Sequence, residues 1–122
     1  MKKLVLLSLL SVILVGCGNT SSVQKISAQK AKTMMDEQKV IVVDVRTLEE
    51  FNEGHISGAI LIPNESIGSS QPALLPNKDA VILVYCRSGN RSKQASDKLV
   101  AMGYTKVYDF GGIIDWPYGL VN

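Results

Sequence analysis

The sequence predicts an α/β fold, a parallel sheet with helices on both faces, and three observations carry that prediction. Short runs rich in β-branched and aromatic residues recur at 40–45, 59–62, 81–85 and 105–110. Segments with helical spacing or helix caps lie between most of them. Alternation of this kind needs crossover connections, which place helices over both faces of a parallel sheet.

The elements follow in order. Residues 19–25 have the composition of a polar tether. Ser27 is the N-cap of a helix running to about residue 38, with Ala31, Met34 and Met35 on one face. Residues 40–45 are too dense in apolar side chains for an exposed edge and read as a buried strand, ended by Asp44 and Arg46. Thr47 followed by Glu50 is a capping-box pattern for a short helix carrying Leu48 and Phe51 and stopped at Gly54. Residues 59–62 form a short strand closed by Pro63. Residues 64–78, interrupted by Pro72 and Pro76, are mostly loop with one helical turn. A strand at 81–85 leads into a polar loop. Residues 92–102 then form a helix with Ala95, Leu99 and Met102 inward and Gly103 as its stop. Residues 105–110 give a last strand, followed by Gly111-Gly112 and a short segment with Ile113 and Trp116.

The N-terminus reads as a targeting segment. Lys2 and Lys3 precede a run of apolar or small residues from 4 to 15, and Leu14-Val15-Gly16-Cys17 resembles the lipobox of bacterial lipoproteins. Twelve residues are short of the roughly 20 that span a bilayer. The expectation is a signal peptide at 1–16, cleavage before Cys17, and acylation of that cysteine. Residues 17–25 would then be a lipidated terminus and linker, and 26–122 one domain, monomeric and held outside the cytoplasm at a membrane surface by two or more acyl chains. The chain has 13 basic and 11 acidic side chains, so without Lys2 and Lys3 the basic count falls to 11 and the charge balances. No basic patch argues for nucleic acid.

The chemistry concentrates at Cys86. A strand delivers this cysteine into the loop Arg87-Ser88-Gly89-Asn90-Arg91, which opens a helix. A cysteine reacts as thiolate, and a helix N-terminus with nearby cations lowers its pKa from about 8.5 toward roughly 3.5 to 7.5. A fall of about two units would favour the thiolate by about 2.7 kcal/mol. With Gly89 in a left-handed conformation, successive amides of residues 87–92 can point at an anion, and Arg87 and Arg91 can position an anionic substrate. Acylation of Cys17 would leave Cys86 without a resolving thiol, so a covalent intermediate must be discharged by an outside acceptor. One histidine and no second thiol give no ordinary zinc site, and no cofactor is called for. An unpaired reactive thiol in an oxidising compartment also implies a nearby source of reducing thiol.

Asp44-Val45-Arg46, Glu53-Gly54-His55-Ile56-Ser57-Gly58-Ala59, the loop from Cys86 to Arg91, and Gly111-Gly112 with Trp116 together resemble the signatures of the rhodanese family, over about residues 26–120. The resemblance implies a five-stranded, mostly parallel three-layer α/β/α domain that moves a sulfane sulfur through a persulfide on Cys86. The small anionic donor would be thiosulfate or a persulfide, and the acceptor cyanide or a thiol. Two other classes stay open. One is a cysteine-dependent phosphatase or arsenate reductase, although the four residues between Cys86 and Arg91 make a tighter ring than the loop of the related phosphatases. The other is a noncatalytic sulfur-sensing or binding module. Asp44 is expected to orient the active loop and Arg46 to join an ion pair with Glu53. His55 is expected to bond to backbone in a turn, and Trp116 to wall the site or anchor the core.

Overall fold

The computed structural model describes residues 21–122. Five strands, β1 (Gln24–Lys25), β2 (Ile41–Asp44), β3 (Ile60–Leu61), β4 (Val81–Cys86) and β5 (Lys106–Gly112), form one sheet in the order β1-β5-β4-β2-β3. Every strand pair is parallel. Three α-helices, α1 (Ala28–Glu37), α2 (Leu48–Glu53) and α3 (Asn90–Ala101), connect them. The α/β/α expectation holds, with β4 at the centre of the sheet.

Two apolar clusters show how the layers are held. On one face Ala95 and Leu99 of α3 pack with Val43, Ile82, Val84 and Val107, and Ile67, Leu75 and Tyr104 complete the layer. On the other, Ala31 and Met34 of α1 pack with Val42, Leu83, Tyr85 and Phe110. Alternate residues of β4 therefore point to opposite layers, and both are buried, as a central parallel strand requires. Ser27 caps α1 by accepting the Lys30 N–H at 3.0 Å. Thr47 and Glu50 form the reciprocal capping box at α2.

β1 lies inside the segment 19–25, which is expected to be a tether. Gln24 and Lys25 pair with Tyr108 and Asp109 at the edge of the sheet. Both are exposed, so they carry no apolar pattern that separates a strand from a linker. The domain therefore begins at least two residues before 26. The expected signal peptide and Cys17 lie outside the described residues. Among those residues, no helix is long and apolar enough to cross a membrane.

The loop at 64–78 contains a single 3₁₀ turn (Asn64–Ser66) and is packed by Ile67 and Leu75, both buried. The Leu75 carbonyl accepts from the Tyr104 hydroxyl at 2.6 Å and from Gln71 Nε2 at 2.8 Å. The Tyr104 bond ties the loop to the α3 side of the sheet, and the Gln71 bond closes the loop on itself.

Candidate active site

The site forms where β4 ends and α3 begins, beyond the carboxyl edge of the sheet. Cys86 is the last residue of β4 and is buried. Gly89 adopts φ +103°, the left-handed conformation, and is the N-cap of α3. The helix consequently starts at Asn90, two residues earlier than its apolar pattern indicates. This turn brings the Gly89 N–H to 3.0 Å from Cys86 Sγ.

The surroundings of the sulfur favour its charged form. Burial raises the thiol pKa, but hydrogen bonding from the backbone N–H groups of Ser92, Gly89 and Ser88 outweighs it, so the pKa is lowered. The hydroxyl of Ser92 lies 2.8 Å from Asp109 Oδ1 and 3.1 Å from the Gly89 carbonyl. Asp109 Oδ1 also accepts the Gly111 N–H at 2.9 Å. Asp109, and not Asp44, is the carboxylate that braces the cysteine loop.

The glycine pair at the end of β5 shapes the loop from behind. The β4–β5 register shifts by one residue between Val84↔Asp109 and Cys86↔Gly112, a bulge that sets Gly112 opposite the cysteine. Gly111 takes φ +84° in that bulge. A Cβ on Gly112 would lie 2.6 Å from Ser88 Cα and 2.7 Å from the Arg87 carbonyl carbon. Gly112 is thus required by close backbone approach, while Gly111 is required by its own dihedral.

The two loop arginines differ. Arg91 is paired with Glu50, its two terminal nitrogens meeting the two carboxylate oxygens at 2.7 and 3.0 Å. This pair holds the Glu50 pKa down to about 2, chiefly through the hydrogen bond from Arg91. Arg87 is exposed and makes no ion pair among the described residues. Ser88 and Asn90 are also exposed, at the rim of the loop.

The remaining singled-out residues support the neighbourhood from a distance. Asp44 and Arg46 are buried and paired with each other, with Arg46 Nη2 at 2.8 Å from Asp44 Oδ2 and 2.7 Å from the Gly54 carbonyl. The expected partner Glu53 is displaced because Asp44 also accepts the Arg46 backbone N–H, closing a local turn at 2.9 Å. The pair fixes the start of the segment after α2. His55 stacks on Phe51 with ring centroids 3.7 Å apart, and its Nδ1 lies 2.9 Å from the Phe51 carbonyl. Its backbone bridges Val121, so the turn role applies. Trp116 packs against Phe110 and Tyr118, which makes it an anchor for the C-terminal segment. Among the described residues, Cys86 is the free cysteine.

Comparison with known proteins agrees with this geometry. The profile of the rhodanese-like domain family matches residues 27–117. The thiosulfate sulfurtransferase PspE of Escherichia coli is 38% identical over 73 residues, which are 60% of this chain and 70% of that protein. The thiosulfate sulfurtransferase GlpE of Tolumonas auensis is 31% identical over 99 residues, 80% of this chain and 92% of that one. Among solved structures, a rhodanese-like domain protein from Staphylococcus aureus is 35% identical with a TM-score of 0.68, covering 80% of this chain and 96% of its own. A rhodanese with anions from E. coli is 34% identical with a TM-score of 0.63, covering 69% and 99%.

Proposed function

The chain belongs to the rhodanese family, and from that premise we propose that it moves a sulfane sulfur from thiosulfate or a persulfide donor to a thiol or cyanide, with Cys86 carrying the sulfur between them. One observation carries this reading: the Cys86 sulfur sits at the start of α3 with the Gly89 amide aimed at it from 3.0 Å. An anion placed there meets the unpaired N–H groups of the first helical turn.

The Cys86 thiolate attacks the outer sulfur of the donor, and the donor's S–S bond breaks. Sulfite or a thiolate leaves with the bonding electron pair, and Cys86 becomes a persulfide. An acceptor nucleophile then attacks the terminal sulfur, breaks the new S–S bond and restores the thiolate. Thiocyanate forms from cyanide, and a persulfide forms from a thiol. Neither step needs a general base when both nucleophiles enter as anions, which agrees with a histidine committed to the Phe51 carbonyl. The loop amides of Ser88 and Gly89 support negative charge first on the thiolate and then on the persulfide. Arg87 is the loop cation available to an incoming donor.

The N-terminal pattern ending in Cys17 supports attachment of the domain to a bacterial membrane through acyl chains, outside the cytoplasm. β1 begins seven residues after Cys17, and an extended chain reaches about 3.5 Å per residue, so the site would work close to the lipid surface.

The test is intact-mass analysis after exposure to thiosulfate or a thiol persulfide, with Cys86→Ser beside it. Uptake of one sulfur atom, reversed by cyanide and lost in the variant, is the expected result. Hydrolysis of an aryl phosphate without sulfur uptake would establish phosphatase chemistry instead, and neither result would leave a binding module.

A further inference from the structure

The guanidinium that closes the cysteine loop already has a carboxylate partner. Arg91 and Glu50 meet in a two-point pair, and Glu50 is itself fixed by Thr47, whose backbone N–H and hydroxyl lie 3.4 and 3.2 Å from the same carboxylate oxygen. Glu50 is thus held by the capping box of α2 on one side and by Arg91 on the other, across 41 residues of sequence. Arg46, Glu50, Glu53, Arg87 and Ile113 line one open depression. Arg46 is already neutralised by Asp44. The remaining two, Glu53 and Arg87, are unpaired among the described residues and of opposite charge, so the depression has no net excess of positive charge. Arg91, the second cation that could share a dianion's charge, is bound to a carboxylate.

We propose that Glu50 is a specificity-determining residue: by holding Arg91, it biases Cys86 toward donors that bring little net negative charge, such as the persulfide of a small aminothiol, and against the thiosulfate dianion. The inference rests on sulfur transfer through Cys86 and narrows its donor. Thiosulfate must either displace the Glu50 carboxylate from Arg91 or bind beside it, and both disfavour a second negative charge. A zwitterionic persulfide meets neither obstacle, because its ammonium group compensates the charge on its sulfur.

The test compares rate constants for loading Cys86 from thiosulfate and from cysteamine persulfide, read by rapid quench and intact mass. Glu50→Gln is the variant of choice, because glutamine retains the capping-box bond while removing the charge. Thiosulfate loading should rise roughly tenfold, and cysteamine persulfide loading should stay within about twofold. The gain should vanish in the Glu50→Gln, Arg91→Gln double variant, since the released guanidinium is what takes the anion. Glu50→Ala, which gives up the cap as well, should shift the donor ratio in the same direction if the glutamine variant folds poorly. An unchanged ratio in these variants, with the wild-type chain loading normally, overturns the role of Glu50 alone. Failure of the wild-type chain to load from either donor removes the sulfur-transfer reading, and this inference with it.

Discussion

The carboxylate of Asp109 meets the hydroxyl of Ser92 at 2.8 Å beneath the cysteine loop, joining the last strand of the sheet to the first turn of α3. Both residues are buried, and the same carboxylate oxygen takes the Gly111 N–H. The other oxygen, Oδ2, has no hydrogen-bond partner among the described residues. The strand, the glycine bulge and the cysteine loop are therefore referenced to one atom.

Asp109→Ala should cost about 1 to 3 kcal/mol in chemical denaturation, because it removes the acceptor shared by the half-buried Gly111 amide and the buried Ser92 hydroxyl. Sulfur loading of Cys86 should slow in parallel, as the turn around Gly89 loses its support. Asp109→Asn keeps an acceptor at the Oδ1 position and removes a buried charge whose second oxygen is unpaired, so it should stay within about 1 kcal/mol of the wild-type chain. Equal losses for the two variants would show that the charge, and not the acceptor, is what matters.

Gly112→Ala and Gly111→Ala separate two uses of glycine. The first drives a methyl group into the backbone of Arg87 and Ser88, so the loop must move; loading should fall at least about tenfold, with roughly 1 to 3 kcal/mol lost in stability. The second meets no atom within 4 Å and suffers only its positive φ, at about 1 to 2 kcal/mol. Its loading rate should remain close to normal. Kinetics and denaturation on the pair check both statements, and a Gly112→Ala chain that loads normally would contradict the close packing of loop and strand.

Much of this architecture was legible in the chain because the local signals are strong. The apolar runs at 40–45 and 81–85, the Thr47–Glu50 capping box, the Ser27 cap and the delivery of Cys86 into a glycine-containing loop all appear where their patterns place them. β1 escaped because two exposed polar residues in a strand are indistinguishable from two in a tether. Asp109 carried a usable signal, an acidic residue inside a strand just before two glycines, yet its pairing with Ser92 spans 17 residues and depends on the parallel register of β4 and β5. The Arg91–Glu50 pair is longer-range still, and only the packing of α2 beside the cysteine loop reveals it. Asp44 ends a strand near the site, as a bracing carboxylate would, but its nearest cation, two residues away, claims it first.

Asp44→Ala should be among the most damaging single substitutions in the domain. It leaves the buried Arg46 guanidinium without its counterion, a loss of about 3 to 5 kcal/mol. Replacement of both members by apolar residues should recover much of that loss, since the stranded charge is gone. Urea denaturation of the single and double variants checks this, and additive losses would contradict it.

The central claim is that the loop holds the Cys86 sulfur as an anion, and the rate of its alkylation by iodoacetamide against pH tests this most directly, followed on the Cys86 peptide by mass. A thiol whose pKa is depressed on folding is ionised at lower pH than in the unfolded chain, and its contribution to stability is full above the unfolded value and lost as pH falls through the folded one. The predicted profile has its midpoint below that of the same peptide in the urea-unfolded chain, and the midpoint rises in Gly112→Ala as the amides move away. A folded-state midpoint equal to or above the unfolded one would contradict the account.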